Sequence, residues 1–293
     1  MSAREGQSQA TGIAAGYLPP LVIGGGNMAR AIVEGAGRAG LALFRGGVVV
    51  EPDLLKHAFF ETTGMSCSAS ITAALEQPDP KNGVSLPRPV LLAGKPQMLG
   101  DVARDLAPLL PAQTLLISIL AGTTIDRLRA SFPGITRVVR VMPNLAASIG
   151  KGATAVTGSA GATESDLALV RGMFSAVGPL VVSLDESLMD AFTALAGSGP
   201  AYLYYLAEAM VEGGVAAGFD RAEATAIVRQ TLGGAGSLLE ASDVPPEALR
   251  AAVTSRGGTT AAATAVLDRQ DVRRAVVDAI VAGRDRGREL GKL

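Results

Sequence analysis

Short runs of β-branched residues and leucine recur along the chain at residues 21–23, 48–50, 90–92, 115–119, 138–142, 153–157 and 180–182. Continuous apolar runs of this length predict strands buried on both faces, as in a parallel sheet covered by helices. Stretches of helical period separate several of them. Thr163-Glu164-Ser165-Asp166 opens one helix in the manner of a capping box, with Asp in place of the usual Glu or Gln. This alternation predicts a doubly wound, mostly parallel α/β domain over residues 17–183. Pro19 and Pro20 stand at its start, and proline cannot donate to a ladder, so the first strand must be short or begin after Pro20.

Past Leu184 the strand runs stop, and the punctuation is that of helices. Pro200 suits the first turn of one, reaching toward Gly218. Asp220 caps a second that holds Ala222 and Leu239. Pro245-Pro246 begins a third, Gly257-Gly258 divides it from a fourth, and residues 272–290 form the last. Residues 184–293 therefore predict an all-α domain. Gly213, Gly214, Gly233, Gly234 and Gly236 each cost such helices roughly 1 kcal/mol. Close helix–helix packing offsets a cost of that kind, which points to burial between subunits.

The balance of charge excludes some classes of partner. A net charge of −1 gives no electrostatic claim on nucleic acid or on an anionic membrane. No apolar run approaches the ~20 residues that span a bilayer. The lone Cys67 forms no internal disulfide, which suits a reducing, cytoplasmic compartment. Residues 1–16 are small and polar without an apolar core of the signal-peptide kind, so they are expected to be a disordered tail.

Two loops carry the chemistry. The first, Ile23-Gly24-Gly25-Gly26-Asn27-Met28-Ala29, ends the first strand and opens a helix. It matches the dinucleotide fingerprint G-x-G-x-x-A. Gly24 permits the tight turn, Gly26 lets the backbone approach a pyrophosphate, and the helix N-terminus offers free N–H groups to it. An acidic partner belongs at the end of the second strand, and Glu51 stands there, 25 residues after Gly26 where about 20 are expected. Its carboxylate would bind the ribose 2′-hydroxyl of NADH and repel the 2′-phosphate of NADPH. An ordinary exposed strand-end glutamate is the alternative, so the choice between NADH and NADPH stays open.

The second loop is Val253-Thr254-Ser255-Arg256-Gly257-Gly258-Thr259-Thr260. Hydroxyls from Thr254, Ser255, Thr259 and Thr260 crowd one turn, two glycines free the backbone, and a helix begins just after. The set reads as a cradle for one small carboxylate, or as a capped turn between helices.

At this loop the chain resembles the pyrroline-5-carboxylate reductases, which carry V-T-S-P-G-G-T-T in an all-helical C-terminal domain. The resemblance extends over nearly all of residues 21–290. It includes IGGGNMA, KPQ at Lys95, VMPN at Val141, GKGATA at Gly150, FSAVG at Phe174 and ALAGSGPAY at Ala194. It implies a Rossmann-type domain followed by a helical domain for substrate binding and dimerisation, assembled as a homodimer or a larger ring such as a decamer. The implied activity is NAD(P)H-dependent reduction of 1-pyrroline-5-carboxylate to L-proline, with the cofactor of one subunit meeting the helical domain of its partner. Motif by motif, Ile23, Gly24, Gly25, Gly26, Asn27, Met28, Ala93, Gly94, Lys95, Pro96, Ile119, Leu120 and Ala121 would line the dinucleotide. Ser255, Gly257, Gly258, Thr259 and Thr260 would hold the substrate. Arg256 replaces the family's usual Pro, Gly94 a usual Val, and Ala252 a common Asn or Gln, while Leu145 follows Asn144 where Thr is frequent.

Reduction of a cyclic imine needs a hydride at carbon and a proton or hydrogen bond at nitrogen. An iminium brings its own proton, which fits a substrate loop without His, Lys, Asp or Glu. Thr260 is therefore the expected catalytic residue, orienting the nitrogen, while loop amides bind the carboxylate. Two alternatives remain at this level. One is another imine or β-hydroxyacid reductase of the same plan, although the hydroxyacid enzymes generally use a lysine on the second domain, and after Lys151 only Lys292 remains. The other is a non-catalytic nucleotide-binding relative. No metal is expected: His57 has no partner at metal or triad spacing and reads as a surface residue, and Cys67 as a small core or loop residue.

Overall fold

The computed structural model describes residues 18–75 and 88–291. The expected tail at residues 1–16 lies outside them.

The first unit is built on strands β1 (Leu21–Ile23), β2 (Val48–Val50), β3 (Ser66–Ser68), β4 (Val90–Leu92), β5 (Leu115–Ser118), β6 (Arg137–Met142), β7 (Ala153–Gly158) and β8 (Leu180–Ser183). They form one sheet in the order β3-β2-β1-β4-β5-β6-β7-β8. β1 through β6 run parallel; β7 is antiparallel to β6, and β8 parallel to β7. The fold class read from the apolar runs is thus the observed one. β1 starts directly after Pro20, whose carbonyl accepts Val48 N–H at 3.3 Å, a role open to proline.

Around the sheet lie α1 (Asn27–Arg38), α2 (His57–Thr62), α3 (Ile71–Leu75), α4 (Leu99–Leu106), α5 (Ile125–Ser131), α6 (Glu164–Ser175) and α7 (Met189–Phe192). Successive strand residues face opposite sides, so each strand feeds two cores. Val22, Val49, Leu91 and Ile117 pack with Ile32, Phe60 and Phe174. Leu21, Val48, Leu92 and Leu116 pack with Leu106, Leu128 and Phe132. Truncating any of these to alanine costs about 2–5 kcal/mol. Thr163 and Asp166 cap α6 reciprocally. Asp166 is fully buried and doubly bonded to the Arg137 guanidinium, so this shorter acid serves both cap and ion pair.

The chain divides into compact units at Gly197, where a π-helical turn (Thr193–Gly197) ends, and the first unit takes up the chain again from Gly283. The second unit, Ser198–Ala282, is helical throughout its ordered elements. It contains α8 (Gly199–Ala216), α9 (Arg221–Glu240), α10 (Pro246–Ala252), α11 (Thr259–Arg269) and the start of α12 (Val272–Leu290). Pro200 opens α8, and Gly218 at φ +110° turns the chain toward α9. Asp220 and Glu223 close a capping box there, at 2.8 and 3.3 Å. A Cβ at Gly214 would lie 2.9 Å from that of Ala224, so α8 and α9 approach closely at that point. Gly213, Gly233, Gly234 and Gly236 instead face open space.

Candidate active site

Parallel strands in register end level, and here that geometry builds an edge. Ile23 pairs with Val50 on one side and Leu92 on the other, and Leu92 pairs with Ser118. The chain therefore leaves β1, β2, β4 and β5 side by side, at Gly24, Glu51, Ala93 and Ile119. The strand order reverses direction between β1 and β4, and open α/β sheets bind ligands outside the carboxyl ends at such a switch point.

Gly24 lies at φ +101°, and a Cβ on it would meet the Gly94 backbone N at 2.7 Å. Only glycine satisfies both constraints. Its N–H donates to the Val50 carbonyl at 2.8 Å, while the Ile23 carbonyl accepts Ala93 N–H at 2.8 Å. The β1 and β4 turns are thereby fixed to each other. Gly26 is the N-cap of α1, and nothing lies within 4 Å of the place where its Cβ would stand. No side chain caps α1 and no acidic residue occupies its first turn, so the positive end of the helix is open beside exposed Asn27 and half-buried Met28. These are the features a pyrophosphate requires, and the residues present fit a dinucleotide.

Gly94 and Lys95 are exposed and Pro96 begins a 3-10 turn. Ile119 N–H donates to the Leu92 carbonyl at 3.0 Å, Leu120 N–H to Ser118 Oγ at 3.3 Å, and Ala121 is exposed. Ile23, Gly94, Lys95, Leu120 and Met98 line one recess at this edge. Met98 carried no signal in the sequence, because apolar residues after a strand are commonplace. A Cβ on Gly94 would meet only the Ile23 carbonyl, at 3.9 Å, so nothing in the packing demands glycine there.

Glu51 occupies the expected strand end but is buried, 8% exposed. Its Oε2 accepts Gly25 N–H at 2.8 Å; its Oε1 accepts Asp53 N–H at 3.0 Å and Lys56 Nζ at 3.3 Å. Burial pushes this carboxyl up, but the Asp53 and Gly25 amides and the Lys56 ammonium together outweigh it and hold the group below its ordinary value. Lys56 also pairs with Asp53 at 3.6 Å. Asp53 and Lys56 were not singled out in the sequence; Glu-Pro-Asp after a valine run is the signal that announces a carboxylate-braced turn.

In the second unit, residues 253–258 form the turn between α10 and α11, and Thr259 and Thr260 open α11. Gly257 lies at φ +72°, and Gly258, the N-cap of α11, donates its N–H to the Ser255 carbonyl at 3.0 Å. A Cβ on Gly258 would collide with Ser255 Oγ, so that hydroxyl lies directly over the helix entrance. No side chain caps α11. Ser255, Arg256, Gly257 and Thr259 are exposed, Gly258 and Thr260 half-buried. Thr254 Oγ1 instead donates to the Arg250 carbonyl at 2.6 Å, which commits it to α10. The turn thus presents hydroxyls and an unneutralised helix end to a small anion.

The family profile described as "Pyrroline-5-carboxylate reductase dimerisation" matches residues 186–290. A pyrroline-5-carboxylate reductase of Pisum sativum is 36% identical over 268 residues, covering 92% of this chain and 94% of the relative. The structure of a pyrroline-5-carboxylate reductase from Coxiella burnetii superposes with a TM-score of 0.81 at 31% identity, covering 94% of this chain and 99% of that one. A pyrroline carboxylate reductase of Plasmodium falciparum, solved with NADP bound, gives 0.77 at 26% identity over 93% and 98% of the two chains. The likeness holds across both units and nearly the full length of these relatives, and the chain belongs to the pyrroline-5-carboxylate reductase family.

Proposed function

We propose that this chain reduces 1-pyrroline-5-carboxylate to L-proline with NAD(P)H, and that the level strand-end edge at the switch point is where its dinucleotide is held. The observation that carries this reading is the edge itself, with Gly24 locked against Gly94, Gly26 facing open space and α1 uncapped. In this reading Ile23 to Met28, Ala93 to Pro96 and Ile119 to Ala121 form the bed for the dinucleotide. When bound, NAD(P)H supplies the hydride for the C=N carbon.

The remaining work falls to residues 254–260. Ser255 and the backbone of Gly257, Gly258 and Thr259 bind the substrate carboxylate at the open end of α11. The Thr260 hydroxyl orients the ring nitrogen, which arrives protonated as the iminium. The loop carries no carboxylate or imidazole, so positioning supplies the acceleration rather than a strong acid. Exposed Arg256 adds a cation close to the carboxylate end of the turn.

We further propose a homodimer as the working unit. α8 buries none of its residues, and Leu203, Tyr204, Tyr205 and Leu206 are all exposed along it. A decamer built from such dimers is the larger assembly to be sought. No helix among the described residues is long and apolar enough to cross a membrane. A cytoplasmic site of action agrees with the free Cys67.

The direct test is oxidation of NADH and of NADPH by the purified protein with pyrroline-5-carboxylate as substrate. Turnover with either supports the proposal. A folded oligomer that binds both nucleotides and oxidises neither rejects it in favour of a different imine substrate or a non-catalytic relative.

A further inference from the structure

The chain has one histidine and one cysteine, and the fold brings them together. His57 opens α2, Glu61 follows one turn later on the same face, and Cys67 lies on β3, paired with Val49 of β2. The ligating atoms of His57, Glu61 and Cys67 all lie within 4.8 Å of one another. The sequence hid this grouping, because His57 and Cys67 are ten positions apart and meet only when α2 folds back onto the edge strand.

A second observation concerns the ring of His57. Its Nε2 is 2.6 Å from the Glu51 carbonyl, which can only accept. Nε2 therefore carries a hydrogen toward that carbonyl, which leaves Nδ1 as the nitrogen open to a metal. A metal-bound imidazole is oriented in this manner, its other N–H given to a backbone carbonyl. Zinc ligands at about 2.0–2.3 Å stand roughly 3.3–3.8 Å apart, so small rotations of three partly exposed side chains close the set.

We propose that His57, Glu61 and Cys67 form a three-ligand site for a borderline-soft divalent cation, zinc by its donor chemistry, with solvent in the fourth position. Imidazole nitrogen, thiolate sulfur and carboxylate oxygen are the donors zinc takes, whereas magnesium and calcium prefer oxygen alone. On binding, the Cys67 proton leaves to solvent, and thiolate and carboxylate together neutralise the +2 ion. Burial and then the Glu61 carboxylate hold the free thiol above its ordinary value, an unfavourable field that the cation reverses. The site ties α2 to β3 directly behind Glu51, whose side chain braces the glycine loop, and so places a metal next to the proposed dinucleotide bed without belonging to it.

The test is a Co(II) titration of the full-length protein after chelator treatment and desalting. The expected result is one cobalt per chain with a thiolate-to-metal charge-transfer band that zinc abolishes. Cys67→Ser removes the band. His57→Ala and Glu61→Gln weaken zinc affinity, measured by competition with a chromophoric chelator, by about 10- to 100-fold or more. Circular dichroism establishes that each variant is folded; should Cys67→Ser not fold, the Glu61→Gln affinity decides. A folded wild-type protein without the band overturns the proposal, as does equal zinc affinity in wild type and Glu61→Gln.

Discussion

Glu51 Oε2 accepts the Gly25 backbone N–H at 2.8 Å, so the acid at the end of β2 holds the very loop that opens α1. A carboxylate with two amide donors and an ammonium is strongly satisfied, and its removal strands a buried N–H at Gly25.

Glu51→Gln is therefore expected to destabilise the protein by about 1.5–3 kcal/mol near neutral pH. The native carboxyl sits below its ordinary value. Its ionised form thus stabilises the fold fully above that ordinary value, and the contribution is lost as pH falls through the lower native one. Thermal denaturation against pH should show a constant gap between wild type and Glu51→Gln at about pH 5–7, closing on further acidification.

The same carboxylate is expected to bear on cofactor choice. Glu51 and Asp53 share the Lys56 ammonium, which leaves net negative charge at the end of β2; if the proposed bed holds the ribose there, a 2′-phosphate would meet that charge. Two like charges a few ångströms apart cost about 1 kcal/mol in water and several near a protein surface. NADH should be favoured, and Glu51→Ala should move the NADPH/NADH ratio of kcat/KM upward by roughly tenfold. An unchanged ratio would assign Glu51 to the loop alone.

Two glycines of one loop should fail differently. Gly24→Ala combines a positive φ with a 2.7 Å clash against Gly94 and is expected to lower Tm and cofactor affinity together. Gly26→Ala meets no protein atom within 4 Å, so it should fold with near-normal Tm and lose dinucleotide affinity only. Calorimetry with fluorescence titration of NADH separates the two.

Thr260→Ala should reduce kcat/KM for pyrroline-5-carboxylate by about 10²-fold, the lower range for a positioned proton-handling group. Dinucleotide affinity should stay as it was, and Thr260→Ser should recover most of the loss. Wild-type kinetics in Thr260→Ala would remove the role assigned to its hydroxyl.

Charge placed on the bare face of α8 should dissociate the protein. Tyr205 is 77% exposed in the protomer. Tyr205→Glu is expected to shift the assembly toward monomer in light scattering, with reductase activity falling alongside.

β1, β2 and β4 were readable because both faces of each are buried, which leaves no polar residue to interrupt the run; Arg140 and Thr154 interrupt β6 and β7, and β8 buries none of its residues. β3 was not readable, since Ser66-Cys67-Ser68 is a polar edge strand with only Ser68 buried. The reversed direction of β7 was equally silent, because apolar content does not encode polarity of a strand. Loop chemistry survived translation: Gly24 and Gly257 adopt positive φ where the motifs demand it. What the sequence could not give was direction of side chains. Glu51 turns inward to an amide, and His57, expected at the surface without a partner, meets Glu61 and Cys67.

The first unit reclaims the chain at Gly283, with Gly287 of α12 against Asp190 and Leu290 beside Gly122. The helical unit is thus an insertion, leaving and re-entering its host, rather than an appendage on a single tether. Both of its ends are anchored in the same folded body, so it cannot fray from a free terminus. A lineage altering the helical unit must do so between two fixed stitches, while the host sheet stays closed upon itself.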